Sequence, residues 1–222
     1  VVGEPTSAET FGDMVKVGRR GSINAEILVE GVQGHVAYPH RAANPVPVLV
    51  KLLTAFQDRK LDEGYAEFQP SNLEVTMIEA PNTDTNVIYG VSRARLNIGF
   101  NPNHTGQLVA AWFELEVWRA SVGFSGKITI TPQISGEAFL TERGAFTDLV
   151  AAAVADVTGV APELSTSGGT SDARFIRALC PVIEVGLVGR TMHQVDERAP
   201  VEEIRTLQKV YGRIIARYFA AA

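Results

Sequence analysis

Six segments between residues 21 and 134 follow the order strand, helix, strand, strand, helix, strand, and this order restricts the fold more than any other feature of the chain. Residues 22–30 alternate apolar and polar as a half-buried strand does. Asn44 and Pro45 then supply an N-cap and a first-turn proline for an apolar helix reaching about Phe56. A strand at 73–79 follows, and a second alternating one at 92–100, where Arg93 and Arg95 oppose Ala94, Leu96 and Ile98. A helix over 105–119 and a strand over 127–131 complete a βαββαβ unit, which predicts a ferredoxin-like antiparallel sheet covered on one face by two helices.

Beyond Gly144 the texture changes. A helix over 145–157, a Gly/Ser/Thr-rich loop, a short helix over 172–179, an apolar strand over 182–185 and a long last helix over 201–219 read as an α/β domain with a mostly parallel sheet. Val1-Val2 has no local partner and reads as the end of a buried strand belonging to that sheet. The predicted organisation is therefore α/β: a catalytic-type domain in two pieces, 1–20 and 135–222, interrupted by the ferredoxin-like unit at 21–134. The chain opens VVGEPT with no initiating Met, and we read it as a downstream piece of a longer protein.

With 222 residues, 45% of them hydrophobic, the chain can bury a core of its own, or two smaller ones. Its formal charge of −5, with no basic tract, argues against a nucleic-acid partner. No apolar run approaches the roughly 18 residues of a membrane helix, and no export signal opens the chain, so neither a membrane partner nor secretion is expected. The single Cys180 cannot form an internal disulfide, which suits a cytoplasmic protein, and its apolar neighbours predict an inert core thiol.

The chemistry-bearing residues fall in a few short stretches. GHVAYPH (34–40) holds His35 and His40 five residues apart, a spacing that points them away from each other on a helix and to opposite faces on a strand. The pair is a poor chelate: His35 is either a turn residue or a group with a separate job, and His40 reads as a loop contact. Glu4 stands at a strand end with its backbone fixed by Pro5. His193, in the polar loop of EVGLVGRTMHQVDERAP (184–200), belongs at the carboxyl end of a strand, where ligands of open α/β sheets gather. A carboxylate and an imidazole are both donors that zinc accepts, although a solvated loop residue is the plainer reading of each.

SGGTSDARF (167–175) offers free amide donors to an anion; without a following Lys it is no nucleotide loop, and a carboxylate suits it better. In GRRG (18–21) at most one of Arg19 and Arg20 can clamp a carboxylate, since neighbours on a strand face opposite ways. Asn82 and Asn86 are turn formers first and hydrogen-bond donors second. Asp196 and Glu197 read as charges at a helix N-terminus. His104 reads as surface loop, and Trp112 and Trp118 as packing.

In order, VVGEPT, GRRGS, GVQGHVAYPHRAANP, TNVI, ISGEAFLT, GGTSDARF and TMHQVDE resemble the succinyl-diaminopimelate desuccinylases, part of the dinuclear zinc aminoacylase and carboxypeptidase-type hydrolases. The resemblance runs along nearly the whole chain. It implies an α/β catalytic domain interrupted by a ferredoxin-like dimerisation or lid domain, and release of succinate from N-succinyl-LL-2,6-diaminopimelate, an acidic small-molecule substrate, in a cytoplasmic homodimer. It implies two zinc ions, one replaceable by cobalt, with Glu4 a ligand of one and His193 of the other. His35 would reach into the neighbouring subunit's active site and donate to the oxyanion, accompanied by Asn86. Arg19, Gly169 and Thr170 would hold the succinyl carboxylate, with Arg20 and Ser171 weaker candidates. The family's first metal histidine, bridging aspartate and paired glutamates would precede Val1, so two of five metal ligands are expected here and the piece alone is expected to be inactive. Some relatives have a substrate asparagine where this chain has Gly189. The nearest rival readings are a sister N-acyl amino acid deacylase, such as one acting on acetylornithine, and a non-catalytic dimerisation fragment.

Overall fold

The computed structural model describes residues 1–65 and 67–220. Along the chain the elements are β1 (Met14–Lys16), β2 (Gly18–Arg19), β3 (Gly21–Glu30), β4 (Gly34–His35), α1 (Pro45–Gln57), β5 (Asn72–Glu79), β6 (Val87–Ile88), β7 (Val91–Phe100), α2 (Gly106–Ser121), β8 (Lys127–Gly136), β9 (Phe139–Leu140), α3 (Ala145–Thr158), β10 (Glu163–Ser165), α4 (Ala173–Ile176) and α5 (Val201–Ala220). They form two compact units, Gly21–Glu137 and Val1–Arg20 with Ala138–Ala222.

In the first of these units, β3 and β7 pair antiparallel along their whole length at the centre of a sheet ordered β5-β7-β3-β8. Alternation decides which face is covered: Ile23, Ala25, Ile27 and Val29 of β3 and Ala94, Leu96, Ile98 and Phe100 of β7 are buried, while Asn24, Glu26, Arg93 and Arg95 are exposed. Both helices lie on the buried face. α1 starts where Asn44 accepts the Val46 amide at 3.1 Å ahead of Pro45, and α2 where the Thr105 hydroxyl accepts the Leu108 amide at 3.2 Å. Phe56 meets Trp112 and Phe113 edge-on, ring centroids 5.2 and 5.3 Å apart, and closes the core.

Three sequence expectations change in this unit. β8 continues past residue 131 to Gly136, because pairing with β3 carries it on through Pro132. Trp118 does not pack: the α2 periodicity turns it outward, 65% exposed, while Trp112 is buried. His104 is no loose surface residue, since its Nε2 lies 2.9 Å from Asp62. The same carboxylate accepts the Gly64 amide at 2.7 Å and Asn101 Nδ2 at 2.7 Å, and so ties the stretch after α1 to the loop before α2.

In the second unit Lys16 and Glu184 exchange backbone hydrogen bonds (3.0 and 2.9 Å), with β10 parallel to β1 on the far side of Lys16 and Val2 parallel to Glu184. Residues 182–185 join through these bridges rather than as a regular strand. Val15, Val17, Ile183 and Val185 pack against Val150, Ala153 and Val154 of α3 and against Val210 and Ile214 of α5. The short helix expected over 172–179 holds its turn only over Ala173–Ile176. Leu179 and Cys180 are exposed, so Cys180 is not a core thiol; burial resumes only at Val182, past the proline that breaks the turn. Asp196 and Glu197 stand apart from the α5 N-terminus, whose first-turn acids are Glu202 and Glu203. No helix of the described residues is long and apolar enough to cross a membrane.

Candidate active site

In the unit of Val1–Arg20 and Ala138–Ala222, non-local strand pairing brings together charges that are far apart in sequence. Arg19, on β2, is 7% exposed; its Nε donates to Glu184 Oε2 at 2.7 Å, and Nη2 pairs with the same oxygen. Glu184 Oε1 accepts the Ser171 hydroxyl. Arg19 Nη1 turns to the Gly-rich loop and donates to the Ser167 carbonyl at 3.3 Å. That approach needs Gly168, which has φ +99°, and a Cβ there would stand 2.5 Å from Nη1. Gly169 and Thr170 are the next residues of this loop. Gly169 is exposed and Thr170 half-buried, 3.4 Å from Arg174 Nη1.

Lys16 is the residue that the sequence reading missed. It is 6% exposed, and its ammonium donates to Ser167 Oγ at 2.6 Å and Ser165 Oγ at 3.4 Å, groups that carry no charge. Burial, then the neighbouring Arg19 charge, pushes it down to about 8. Lys16 and Arg19 thus place two buried cations against the single buried carboxylate of Glu184, beside a loop that exposes backbone groups, an arrangement suited to an anionic ligand. The signal in the sequence is a lysine set between Val15 and Val17, and pairing on both sides covers it.

Glu4 and His193 occupy the other end of the same strand pair. Residues 1–7 run parallel to 182–188, with bridges at Val2–Glu184 and Ser7–Val188. The Glu4 backbone crosses so close to Gly186 that a Cβ there would meet its carbonyl at 2.1 Å, so only glycine fits. A Cβ at Gly189 would lie 3.3 Å from Pro5 Cβ and 3.8 Å from Met192 Cβ, which puts the His193 loop against the residue after Glu4. His193 has φ +63°, is exposed, and its amide donates to Glu197 Oε2 at 3.3 Å. Thr191 Oγ1 closes the loop on Arg198, donating to its carbonyl and accepting its amide, both at 3.0 Å. One carboxylate and one imidazole are donors of the kind zinc accepts. The described residues include no group of three or more His, Cys, Asp or Glu side chains placed to hold a metal. The fit is one of donor chemistry, for part of a ligand set. A groove of about 680 Å³ between Phe146, Cys180 and Phe219 is lined by no carboxylate, imidazole or cation.

In the unit Gly21–Glu137, β4 and β6 form a two-stranded ladder in which His35 pairs with Val87, and the Val36 amide donates to the Asn86 carbonyl at 3.0 Å. His35 and Asn86 therefore sit at one end of one ladder. The Ala37 amide donates to His35 Nδ1 at 3.1 Å, so the neutral ring keeps its proton on Nε2, available as a donor. His40 is exposed in a 3₁₀ turn, its ring centroid 6.3 Å from that of Tyr38. Elsewhere on this unit α2 lies over β8, which ends the sheet order, and it exposes Leu108, Leu115 and Trp118, with Val122 exposed at its C-cap. An apolar helix stripe beside a sheet edge is a surface of the kind that partners cover.

Comparison with known proteins gives a consistent picture. Residues 17–117 match the peptidase dimerisation domain family. Over 220 residues the chain is 82% identical to a succinyl-diaminopimelate desuccinylase of Phenylobacterium zucineum, covering 99% of this chain and 58% of that protein. A protein of the same name from Caulobacter vibrioides is 67% identical, over all of this chain and 57% of its own length. The chain spans a little over half the length of these curated relatives. Among solved structures, a Staphylococcus aureus tripeptidase superposes with a TM-score of 0.76 at 17% identity, over 94% of this chain and 54% of that one. An M20 family metallo-carboxypeptidase from Sulfolobus solfataricus superposes at 0.73 and 14% identity, over 92% and 60%; at these identities the likeness is one of fold. By sequence, the chain is similar over nearly its whole length to proteins named succinyl-diaminopimelate desuccinylase, and its residues 17–117 match the peptidase dimerisation domain family.

Proposed function

We propose that this chain serves a metal-dependent amide hydrolase that converts N-succinyl-LL-2,6-diaminopimelate into succinate and LL-diaminopimelate in the cytoplasm, and that it is inactive alone. The 82% identity over 99% of the chain to a protein of that name carries the reading. The chemistry of the site accords with it: the substrate's acyl group ends in a carboxylate, and Lys16, Arg19 and the loop of Gly169 and Thr170 present positive charge and polar donors to an anion.

In this mechanism Glu4 and His193 each contribute a ligand toward a pair of zinc ions, one replaceable by cobalt. The length of the relatives that this chain does not span supplies the remaining ligands and the general base. Bound zinc would polarise the amide carbonyl and provide hydroxide at neutral pH. Arg19, Gly169 and Thr170 fix the succinyl carboxylate and so align the amide. His35 donates from Nε2 to the oxygen that gains charge as the carbonyl is attacked, a donor role usually worth about 10² to 10³ in turnover. Asn86 stands beside it. His35 performs this task in the neighbouring subunit of a homodimer joined through residues 21–134, the domain inserted between catalytic pieces 1–20 and 135–222, and the α2 stripe with the β8 edge is the surface for the second copy.

A substrate panel on the full-length protein tests the reading. Release of succinate from the N-succinyl substrate should exceed release of acetate from N-acetylornithine by at least about tenfold in kcat/KM; preference for the acetyl substrate would reject it in favour of a sister deacylase.

A further inference from the structure

Glu184 has no place in the chemistry described so far, yet it is among the most deeply buried side chains of the molecule, 1% exposed. A carboxylate at that depth needs partners for both oxygens. Oε2 takes Nε and Nη2 of Arg19, and Oε1 takes the Ser171 hydroxyl. These contacts occupy one whole edge of the guanidinium and leave Nη1, which donates to the Ser167 carbonyl beside Gly168, as the end turned to the loop, with a second N–H to offer. Through Ser171 the same carboxylate holds the C-terminal end of the loop that contains Gly169 and Thr170. A single side chain therefore sets the orientation of the cation and the position of the loop together. Its backbone is held too, by the two hydrogen bonds to Lys16.

We propose that Glu184 is a positioning residue for recognition of the substrate's distal carboxylate: it touches no substrate, and it presents Arg19 Nη1 and the 167–171 loop as one preorganised anion receptor. The proposal rests on the reading that Arg19, Gly169 and Thr170 bind the acyl carboxylate. Loss of an orienting charged contact at such a site should cost affinity for the acyl end by about tenfold or more, while recognition of the amine end stays as it was.

The test is Glu184→Gln in the full-length protein, which keeps shape and removes charge. KM for the N-succinyl substrate should rise about tenfold or more with kcat within about threefold, and competitive inhibition by free succinate should weaken by the same factor. Inhibition by LL-diaminopimelate, which lacks the acyl group, should not change. If both products lose inhibition in proportion, or neither does, Glu184 is merely structural and the proposal fails. Should Glu184→Gln not fold, Ser171→Ala removes one tie to the same carboxylate and should give the same selective pattern at smaller size; a uniform loss overturns the proposal equally. The underlying reading fails separately: Arg19→Gln would then leave succinate inhibition untouched whatever Glu184 does.

Discussion

Replacing Lys16 with Met should make the protein more stable and a poorer binder of anions. The ammonium is 6% exposed and is held at about 8, against an ordinary 10.5, by burial and then by Arg19. A difference of about 2.5 units at 1.36 kcal/mol each means that keeping Lys16 charged in the folded state costs about 3 kcal/mol. Because the folded value lies below the unfolded one, that cost is complete below pH 8, shrinks as pH rises, and is gone above about 10.5. Methionine matches the length of the stem and carries no charge to desolvate. The hydroxyls it strands still have each other, Ser165 Oγ and Ser167 Oγ being 3.0 Å apart. A net gain of about 2 kcal/mol at pH 7 is expected, equivalent to a rise of about 4 to 8 °C in Tm for a chain of this size. Thermal melts of both proteins from pH 7 to 10.5 should show the gap closing as pH rises, and succinate inhibition of the full-length protein should weaken in the variant. A Lys16→Met protein that melts at or below wild type at pH 7, or a gap indifferent to pH, would refute the reasoning.

Three further expectations follow from other parts of the molecule. His35→Ala in the full-length protein should lower turnover by about 10² to 10³ with zinc content unchanged, read by steady-state kinetics beside metal analysis; undiminished turnover removes His35 from the mechanism. Leu115→Glu places a charge in the exposed α2 stripe and should leave unit folding intact while sedimentation shows monomers and turnover collapses, because His35 would no longer reach a neighbour. A variant that stays dimeric moves the interface elsewhere. Burial raises the Asp62 carboxyl, but hydrogen bonds from Ser71, Gly64 and Asn101 outweigh it and pull the group down to about 2. Its stabilising contribution, roughly 1 to 2 kcal/mol, is present above about pH 4 and lost as pH falls toward 2. Urea titrations followed by Trp112 fluorescence should find Asp62→Asn less stable than wild type at pH 6 and nearly equal to it at pH 2; parallel curves would discount the latch.

The sequence by itself determined the elements whose causes are local. Alternation in β3 and β7 chose which face meets the helices, Asn44-Pro45 and Thr105 chose where α1 and α2 begin, and the strand-helix order left few topologies open. It also singled out Gly34-His35 and the Gly-rich loop, because glycine next to a functional group type stands out within a few residues. Only the tertiary structure decided what surrounds Arg19. Its partner Glu184 lies 165 positions away, and no local pattern distinguishes a strand glutamate that faces solvent from one enclosed by two other strands. The same holds for Lys16: its place between Val15 and Val17 is local, but its burial depends on chain segments paired on both sides. Capping and periodicity are free energies that a short stretch of chain carries with it. The environment of a charge is set by closure of the whole chain around it, and that closure is what brings Lys16, Arg19 and Glu184 together.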